Sequence, residues 1–215
     1  MPLPVVLVTG FEPFDDAPSN PSGDVALRIA ESGHVGVEIV ALVLPVSFAR
    51  AIPLLEAAID KVGPDVVISL GLANGRLGIT PERVAINLAD SRIPDNDGAQ
   101  PRDAEIEAGG PAARFTTLPV KAITHALDAA GIPSSVSLSA GSYVCNQLFY
   151  VLMGMADARP ELRAGFVHVP STPELGGTNT MAFTEIERGV RLAITQIVSR
   201  TAESGDLNAV GGSTH

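Results

Sequence analysis

The sequence contains no tryptophan and only a single cysteine among its 215 residues. One cysteine excludes an intrachain disulfide, so we expect a protein that works in a reducing compartment, the cytoplasm. Aromatic residues make up only 4% of the chain, so the core has to be built from Val, Ile, Leu and Ala. Such a composition is typical of buried strands that are covered by helices.

Positive charge is also scarce, because 14 Lys and Arg residues stand against 24 Asp and Glu residues, which gives a formal net charge of −10. This surface repels a phosphate backbone, so we predict no nucleic-acid partner. No apolar run is long enough to span a bilayer. The first residues lack the basic start and the cleavage site of a signal peptide. We therefore expect a cytoplasmic protein without membrane association.

What the chain does have is a regular alternation of apolar segments and amphipathic segments. Strands are predicted at residues 4–8, 37–44, 65–71, 83–88, 136–139 and 165–169. Helices are predicted at residues 22–31, 47–61, 119–130, 145–156 and 178–203, with Ser22 and Ser47 as N-caps of the first two. The pattern predicts one α/β domain over residues 1–204, a three-layer α/β/α sandwich with a mostly parallel central sheet. The polar, Gly-rich residues 205–215 predict a disordered tail.

Active sites in such sheets lie beyond the carboxyl ends of the strands. We therefore expect the loops after residues 8, 71, 139 and 169 to converge on one end of the sheet. Residues 90–115 are rich in Asp, Pro and Gly, and loops of this length are usually functional or mobile.

Cys145 is the first candidate for a nucleophile. It follows the turn Ser139–Ser142 and lies near the start of a predicted helix. The free amides and the dipole of a helix N-terminus stabilise a thiolate, and the same amides can bind an oxyanion. A lone cysteine is equally well a small buried hydrophobic residue, and position alone does not separate the two interpretations.

His168 and Glu82 are the candidate base and its partner. His168 lies near the end of a predicted strand, from which its ring can point into a site; the alternative is a structural histidine bonded to a carbonyl. Glu82 lies where a loop enters a predicted strand, and a carboxylate there can orient an imidazole and stabilise its cation. The alternative for Glu82 is an ordinary ion pair with Arg83.

Three further residues fall in loops at the predicted end of the sheet. Arg92 can donate to an oxyanion or to a substrate, or it can be a solvated loop residue. Phe11 and Phe14 can line an apolar pocket, or they can simply plug the end of the sheet. The chain has no phosphate-binding Gly-Lys-Ser/Thr loop, no Gly-x-Gly-x-x-Gly, no His-Glu-x-x-His and no Gly-x-Ser-x-Gly. We therefore predict no cofactor and no metal.

Segments spread along the chain together resemble the pyroglutamyl peptidase type I family (pyrrolidone-carboxylate peptidases). Residues 71–87, Gly-Leu-Ala-Asn-Gly-Arg-Leu-Gly-Ile-Thr-Pro-Glu-Arg-Val-Ala-Ile-Asn, are similar to the glutamate signature of that family. Residues 136–150, Val-Ser-Leu-Ser-Ala-Gly-Ser-Tyr-Val-Cys-Asn-Gln-Leu-Phe-Tyr, are similar to its cysteine signature. Further matches lie at residues 9–14, 20–22, 92–96 and 165–170, and the resemblance runs from about residue 3 to about residue 198.

The resemblance implies a site and a reaction. Cys145, His168 and Glu82 would form a catalytic triad in which His168 and the helix terminus favour a Cys145 thiolate. Arg92 and the backbone N–H of Cys145 would form the oxyanion hole. The family pattern implies that the pyroglutamyl pocket is shaped by Phe11, Phe14, Ile93 and Tyr143, with Leu72 beside them. It also implies an α/β/α sandwich, peptides with an N-terminal pyroglutamate as substrates, and a homotetramer or dimer.

The sequence departs from the family pattern at a few positions and leaves rival functions open. Leu72 stands where related chains often have Gln, Asn74 where they have Gly, and Tyr143 where an apolar aromatic is usual. Leu72 and Tyr143 keep open an amidase of the same fold that acts on another lactam or acyl group. A catalytically silent protein that binds pyroglutamyl ends is a third hypothesis. A nucleoside phosphorylase-like activity rests on the architecture alone, which does not fix function.

Overall fold

Seven strands and five α-helices are present in the computed structural model, which describes residues 2–200 and 205–211. The strands are β1 (Val5–Phe11), β2 (Glu38–Leu44), β3 (Val66–Leu72), β4 (Thr80–Pro81), β5 (Val84–Ile86), β6 (Ala113–Phe115) and β7 (Arg163–Val169). The helices are α1 (Pro21–Ser32), α2 (Ala51–Val62), α3 (Val120–Ala129), α4 (Val144–Ala158) and α5 (Phe183–Val198). A single 3₁₀ turn covers Pro173–Leu175.

The central sheet has five strands in the order β2-β1-β3-β7-β4. The first four strands are parallel, and β4 runs antiparallel to β7. β5 and β6 form a separate antiparallel pair. The predicted single α/β domain with a mostly parallel sheet is confirmed, although the strand predicted at residues 83–88 belongs to the small sheet.

Helices cover both faces of the sheet. Successive side chains of a strand point to opposite faces, so each strand contributes to both cores. On β1, Val6 and Val8 pack with α1, α3 and α5. Leu7 lies between them in the chain and packs with α2 and α4 on the other face. This arrangement explains why the strands are continuous apolar runs, and it gives the predicted three-layer sandwich.

The start of α1 differs in detail from the prediction. Pro21 occupies the first turn, and the N-cap is Asn20, whose Oδ1 accepts from the Ser22 amide at 3.1 Å. Ser22 is therefore not the cap; its hydroxyl instead accepts from the amide of Phe11 at 3.1 Å. Ser47 accepts from the amide of Arg50 through its hydroxyl in the turn before α2, which begins at residue 51 rather than residue 47.

The predicted strand at residues 136–139 is wrong. Within this segment there is one isolated parallel bridge, Glu82 with Ser137, and a second, Ile79 with Ser134, lies just before it; both flank the two-residue strand β4. The segment therefore runs opposite to β1, β3 and β7. The loops after β1, β2, β3 and β7 share the carboxyl edge of the sheet, because these four strands are parallel.

The last helix and the following segment also depart from the prediction. α5 begins at residue 183 rather than residue 178, after an extended stretch in which the Met181 amide donates to the Ser171 carbonyl at 2.8 Å. Residues 205–211 lie along α3, where the Asp206 carboxylate accepts from the amides of Lys121 and Ala122 at 3.0 Å. The rest of the predicted tail, residues 212–215, lies outside the described residues, as do residues 201–204 of the predicted last helix. Among the helices described, none is both long and apolar enough to cross a membrane.

Candidate active site

Cys145 lies at the start of α4, against the carboxyl-terminal part of β3. Gly71 makes this approach possible, because a Cβ at that position would lie 3.0 Å from the Cys145 sulfur and 2.7 Å from the Phe166 ring. Cys145 is half-buried and is the free thiol of the chain. As a residue of the first helical turn, it has a backbone N–H without a partner inside the helix.

His168 lies beside Gly71 on the neighbouring strand β7. Its parity on the strand is that of Phe166, so its ring points to the face that α4 covers. His168 Nδ1 bonds to Glu82 Oε1 at 2.7 Å, which leaves Nε2 as the acceptor. Within residues 2–200, however, no hydrogen bond joins the thiol of Cys145 to His168. Such contacts are often long before a substrate binds.

Glu82 follows β4 and is completely buried. Its position is fixed by the backbone, because the Glu82 amide donates to the Phe166 carbonyl at 2.8 Å. The predicted alternative partner, Arg83, does not contact the carboxylate. Arg76 does, with a distance of 2.6 Å from Nη1 to Glu82 Oε1.

The electrostatics of the site correct one prediction from the sequence. Burial, followed by the negative charge of Glu82, raises the pKa of the Cys145 thiol to about 12. Burial also lowers the pKa of His168 from its usual value, against the opposing effect of the hydrogen bond to Glu82. The substrate-free site therefore holds a neutral thiol and a neutral imidazole, and not the thiolate that the helix terminus was expected to favour.

An apolar cavity opens beside the Cys145 sulfur. It is lined by Phe11, Phe14, Asn20, Val46, Leu72, Tyr143, Val144 and Cys145. Tyr143 packs edge-on against Phe48, with ring centroids 5.4 Å apart, and its ring lies 6.4 Å from that of Phe14. The structure thus brings four of the predicted substrate-binding residues, Phe11, Phe14, Leu72 and Tyr143, to the candidate nucleophile.

The remaining two predicted site residues lie farther out, on the loop around residues 92–96. Ile93 lines an adjoining depression together with Phe14. Arg92 is exposed, and among the described residues no partner accepts a hydrogen bond from its guanidinium. The loop is tied to the cavity by the Tyr143 hydroxyl, which donates to the Pro94 carbonyl at 2.9 Å.

Comparison with known proteins decides the family. A family model described as pyroglutamyl peptidase matches residues 5–200 of this chain. The chain belongs to the pyroglutamyl peptidase family. It is 44% identical to the pyrrolidone-carboxylate peptidase 1 of Ralstonia nicotianae over 99% of this chain and 100% of that protein. It is also 44% identical to the pyrrolidone-carboxylate peptidase of Bacillus subtilis, with 98% of each chain covered.

Solved structures of the pyroglutamyl peptidase family have the same fold. The crystal structure of pyroglutamyl peptidase I from Bacillus amyloliquefaciens superposes with a TM-score of 0.92 at 38% identity, covering 98% of this chain and 100% of that one. The pyrrolidone carboxyl peptidase from Thermococcus litoralis superposes with a TM-score of 0.91 at 37% identity, covering 97% and 99%.

Sequence reasoning missed two polar residues that support the site of this family member. Arg76 contacts Glu82, as described above, but five residues separate the pair, the last two of which form β4, and no periodicity links them. Asn146 is completely buried at the start of α4 and bonds to the backbone of β5 and of Leu88. A polar residue in an otherwise apolar helix start, directly after the cysteine, was the available signal. In the described part of the chain, no three His, Cys, Asp or Glu side chains are grouped as metal ligands.

Proposed function

We propose that this protein is a pyroglutamyl-peptidase I: a cysteine exopeptidase, or omega peptidase, that hydrolyses the bond after an N-terminal pyroglutamyl (5-oxoprolyl) residue of peptides. The observation that carries the proposal is the buried His168–Glu82 pair, which lies on the sheet face where Cys145 borders an apolar aromatic cavity. Membership of the pyroglutamyl peptidase family supports the choice of substrate.

The proposed reaction begins with proton transfer. As Cys145 attacks the carbonyl carbon after the pyroglutamyl ring, Nε2 of His168 takes the thiol proton, and Glu82 stabilises the resulting imidazolium. The amide C–N bond breaks, the imidazolium protonates the leaving amine, and a thioester joins pyroglutamate to Cys145. Water then attacks the thioester with His168 as base, which releases pyroglutamate and restores the thiol.

The oxyanion of each tetrahedral intermediate needs hydrogen-bond donors. We assign this role to the backbone N–H of Cys145 and to Arg92. The N–H is in place at the helix start, whereas Arg92 is exposed in the substrate-free protein. In this proposal the Arg92 guanidinium therefore turns toward the Cys145 sulfur when a substrate binds.

The cavity explains selection for a pyroglutamyl group. The lactam ring is uncharged and fits an apolar slot formed by Phe11, Phe14, Leu72 and Tyr143, with Ile93 at the outer edge. An ordinary N-terminus carries an ammonium group, and burial of that charge without a partner is costly. Peptides with a free N-terminus are therefore excluded from the same slot.

The test is release of a fluorogenic amine from its pyroglutamyl amide, with the prolyl and alanyl amides as control substrates. We expect cleavage of the pyroglutamyl amide alone, and its loss in Cys145→Ser and His168→Asn. His125→Asn is the matched control, because His125 is an exposed residue of α3 outside the site. Preferential cleavage of another lactam or acyl amide would replace this proposal with an amidase of different specificity. Binding of the pyroglutamyl amide without cleavage would replace it with a silent binding protein.

We also propose that the protein works in the cytoplasm as a homotetramer or dimer, as the resemblance to the family implies. A reducing cytoplasm suits a reaction that needs a free thiol. Light scattering coupled to gel filtration tests the assembly, and a single species of monomer mass at working concentration would reject it. Cell fractionation tests the compartment.

A further inference from the structure

Arg76 donates three hydrogen bonds to residues in and around the candidate site. It lies in the loop between β3 and β4, and its Nη1 donates to Glu82 Oε1 at 2.6 Å and to Thr80 Oγ1 at 2.5 Å. Its Nη2 donates to the Ser139 carbonyl at 2.8 Å. The Arg76 side chain is 27% exposed, whereas that of Glu82 is 0% exposed. Arg76 is thus a partly solvated cation that reaches inward to a fully buried carboxylate.

Glu82 depends on this cation because the carboxylate has few partners. Its Oε1 receives both Arg76 and His168, while Oε2 has no hydrogen-bond partner among the described residues. A buried carboxylate is stable only where charged or hydrogen-bonding groups compensate its charge.

The same arginine reaches the chain segment that leads to the nucleophile. Ser139 begins the turn that precedes α4, and its hydroxyl accepts from the Gly141 amide at 3.2 Å. Gly141 has a φ of 79°, a backbone conformation that favours glycine. Tyr143 follows two residues later as the N-cap of α4. Tyr143 and Cys145 line the same cavity. Arg76 therefore contacts both Glu82 and Ser139, the first residue of the turn that leads to Cys145.

We propose that Arg76 is a positioning residue for the hydrolysis, which orients the Glu82 carboxylate toward His168 and fixes the turn that leads to Cys145. The inference rests on the proposed function, because it assigns Arg76 a part in the same Cys145, His168 and Glu82 chemistry. Arg76 acts through Glu82 and is not assigned a contact with the substrate.

Charge predicts the direction of the effect on pH dependence. The charged groups that act on His168 are Glu82, which follows β4, and Arg76, from the β3–β4 loop; Cys145 is the titratable group that α4 contributes. The positive charge of Arg76 lowers the pKa of His168 and also that of Cys145. Removal of this charge raises both pKa values, so both limbs of the profile of kcat/KM against pH should move to higher pH.

The experiment compares Arg76→Met and Arg76→Lys with Arg83→Met. Arg83 is the matched control, because its side chain is 31% exposed and it follows Glu82 in the chain without contacting the carboxylate. With the pyroglutamyl amide, we expect Arg76→Met to lower kcat roughly 10²-fold, with KM within about threefold of wild type and the acid limb shifted up by about half a pH unit or more. Arg76→Lys should recover the position of the limb and part of kcat. Arg83→Met should resemble wild type in both.

A loss of kcat in Arg76→Met without displacement of the pH profile would overturn the proposal, as would equal effects in Arg83→Met. Arg76→Lys keeps the test decisive if Arg76→Met does not fold. Titration of the His168 ring by NMR gives a readout that needs no substrate. If wild type does not cleave the pyroglutamyl amide but the His168 titration still moves upward in Arg76→Met, the proposed function fails and the positioning role stands. An unmoved titration rejects the role of Arg76 whatever the substrate.

Discussion

Burial of Cys145 and of His168 keeps the thiol proton on the Cys145 sulfur before substrate binds. Desolvation disfavours the thiolate and the imidazolium alike, so the pKa of the thiol rises to about 12 and that of His168 falls. In the proposed reaction, the thiolate is therefore formed only when the proton moves to His168 in the presence of substrate. A neutral resting thiol is also protected from oxidants, which react with thiolates.

Alkylation of Cys145 tests this description of the resting site. With iodoacetamide and substrate-free protein, the rate at pH 7 should be slow and should rise about tenfold per pH unit from pH 8 to pH 11, since the thiolate is the reactive form. Mass spectrometry gives a clean readout, because the chain has only one cysteine. A fast rate that is already constant below pH 7 would show the low-pKa thiolate that the helix position alone predicts.

Tyr143 gives a second prediction at the scale of a single residue. Its hydroxyl holds the loop that carries Ile93 and Arg92 against the cavity. Loss of one such hydrogen bond is worth about 0.5–1.5 kcal/mol, so Tyr143→Phe should raise KM for the pyroglutamyl amide roughly 2- to 10-fold with little change in kcat. The control is Tyr150→Phe, because the Tyr150 hydroxyl makes a similar bond, 2.7 Å to the Pro111 carbonyl. Equal KM values in the two variants would contradict a role for the Tyr143 hydroxyl at the loop.

At the scale of elements, the site depends on how α4 is joined to β5. Asn146 Oδ1 accepts from the Ile86 amide, and its Nδ2 donates to the carbonyls of Ile86 and Leu88, all at 2.9–3.0 Å. These bonds fix the helix start that carries Cys145 next to the chain that continues from Glu82. Two elements that are about 60 residues apart in sequence are thereby locked together.

Asn146→Ala should destabilise the protein strongly. The substitution leaves partly buried backbone groups of Ile86 and Leu88 without these partners and empties a fully buried site, so we expect the free energy of unfolding to fall by about 2–4 kcal/mol. Asn87→Ala is the matched control, since Asn87 also makes bonds to backbone groups but in more exposed surroundings. Urea denaturation of both variants decides the point. A loss in Asn146→Ala no larger than that in Asn87→Ala would argue against the joint.

At the scale of the whole molecule, the three layers place each part of the site. β3 and β7 are neighbours, so Gly71 and His168 lie side by side, and α4 covers the face to which His168 points. The chain also closes on itself near its end. α3 has no side-chain cap of its own at Pro119, and Asp206 from the C-terminal segment accepts from the first amides of the helix.

Asp206→Ala tests this closure. Loss of a helix cap costs about 0.5–2 kcal/mol, so thermal unfolding should occur at a lower temperature while kcat/KM for the pyroglutamyl amide stays at the wild-type value. Asp206→Asn should keep most of the stability, because an amide oxygen can also accept from the helix amides. An unchanged melting temperature in Asp206→Ala would show that residues 205–211 do not stabilise α3.

The sequence by itself determined the fold class and the candidates for the reacting side chains. The apolar run Val66–Leu70 indicates a buried strand, and the amphipathic segment Phe183–Val198 indicates a helix. Both patterns can be recognised because they depend only on residues close together in the chain. The family signatures around Glu82, Cys145 and His168 named the candidates before any contact was known. The exact start of α1 was missed by two residues, because the helix begins at Pro21 and its N-cap is Asn20 rather than Ser22.

Only the tertiary structure decided the protonation of the Cys145 thiol and the contacts that hold these side chains in position. Glu82 and His168 are 86 residues apart in sequence and 2.7 Å apart in space, and Arg76 contacts Glu82 from a loop without periodicity. The direction of residues 134–139 depended on a neighbouring strand of two residues, which no local pattern reveals. The thiol pKa followed from burial and from the charge of Glu82. Burial and through-space charge are properties of the packed chain, whereas periodicity and residue chemistry are already present in its order.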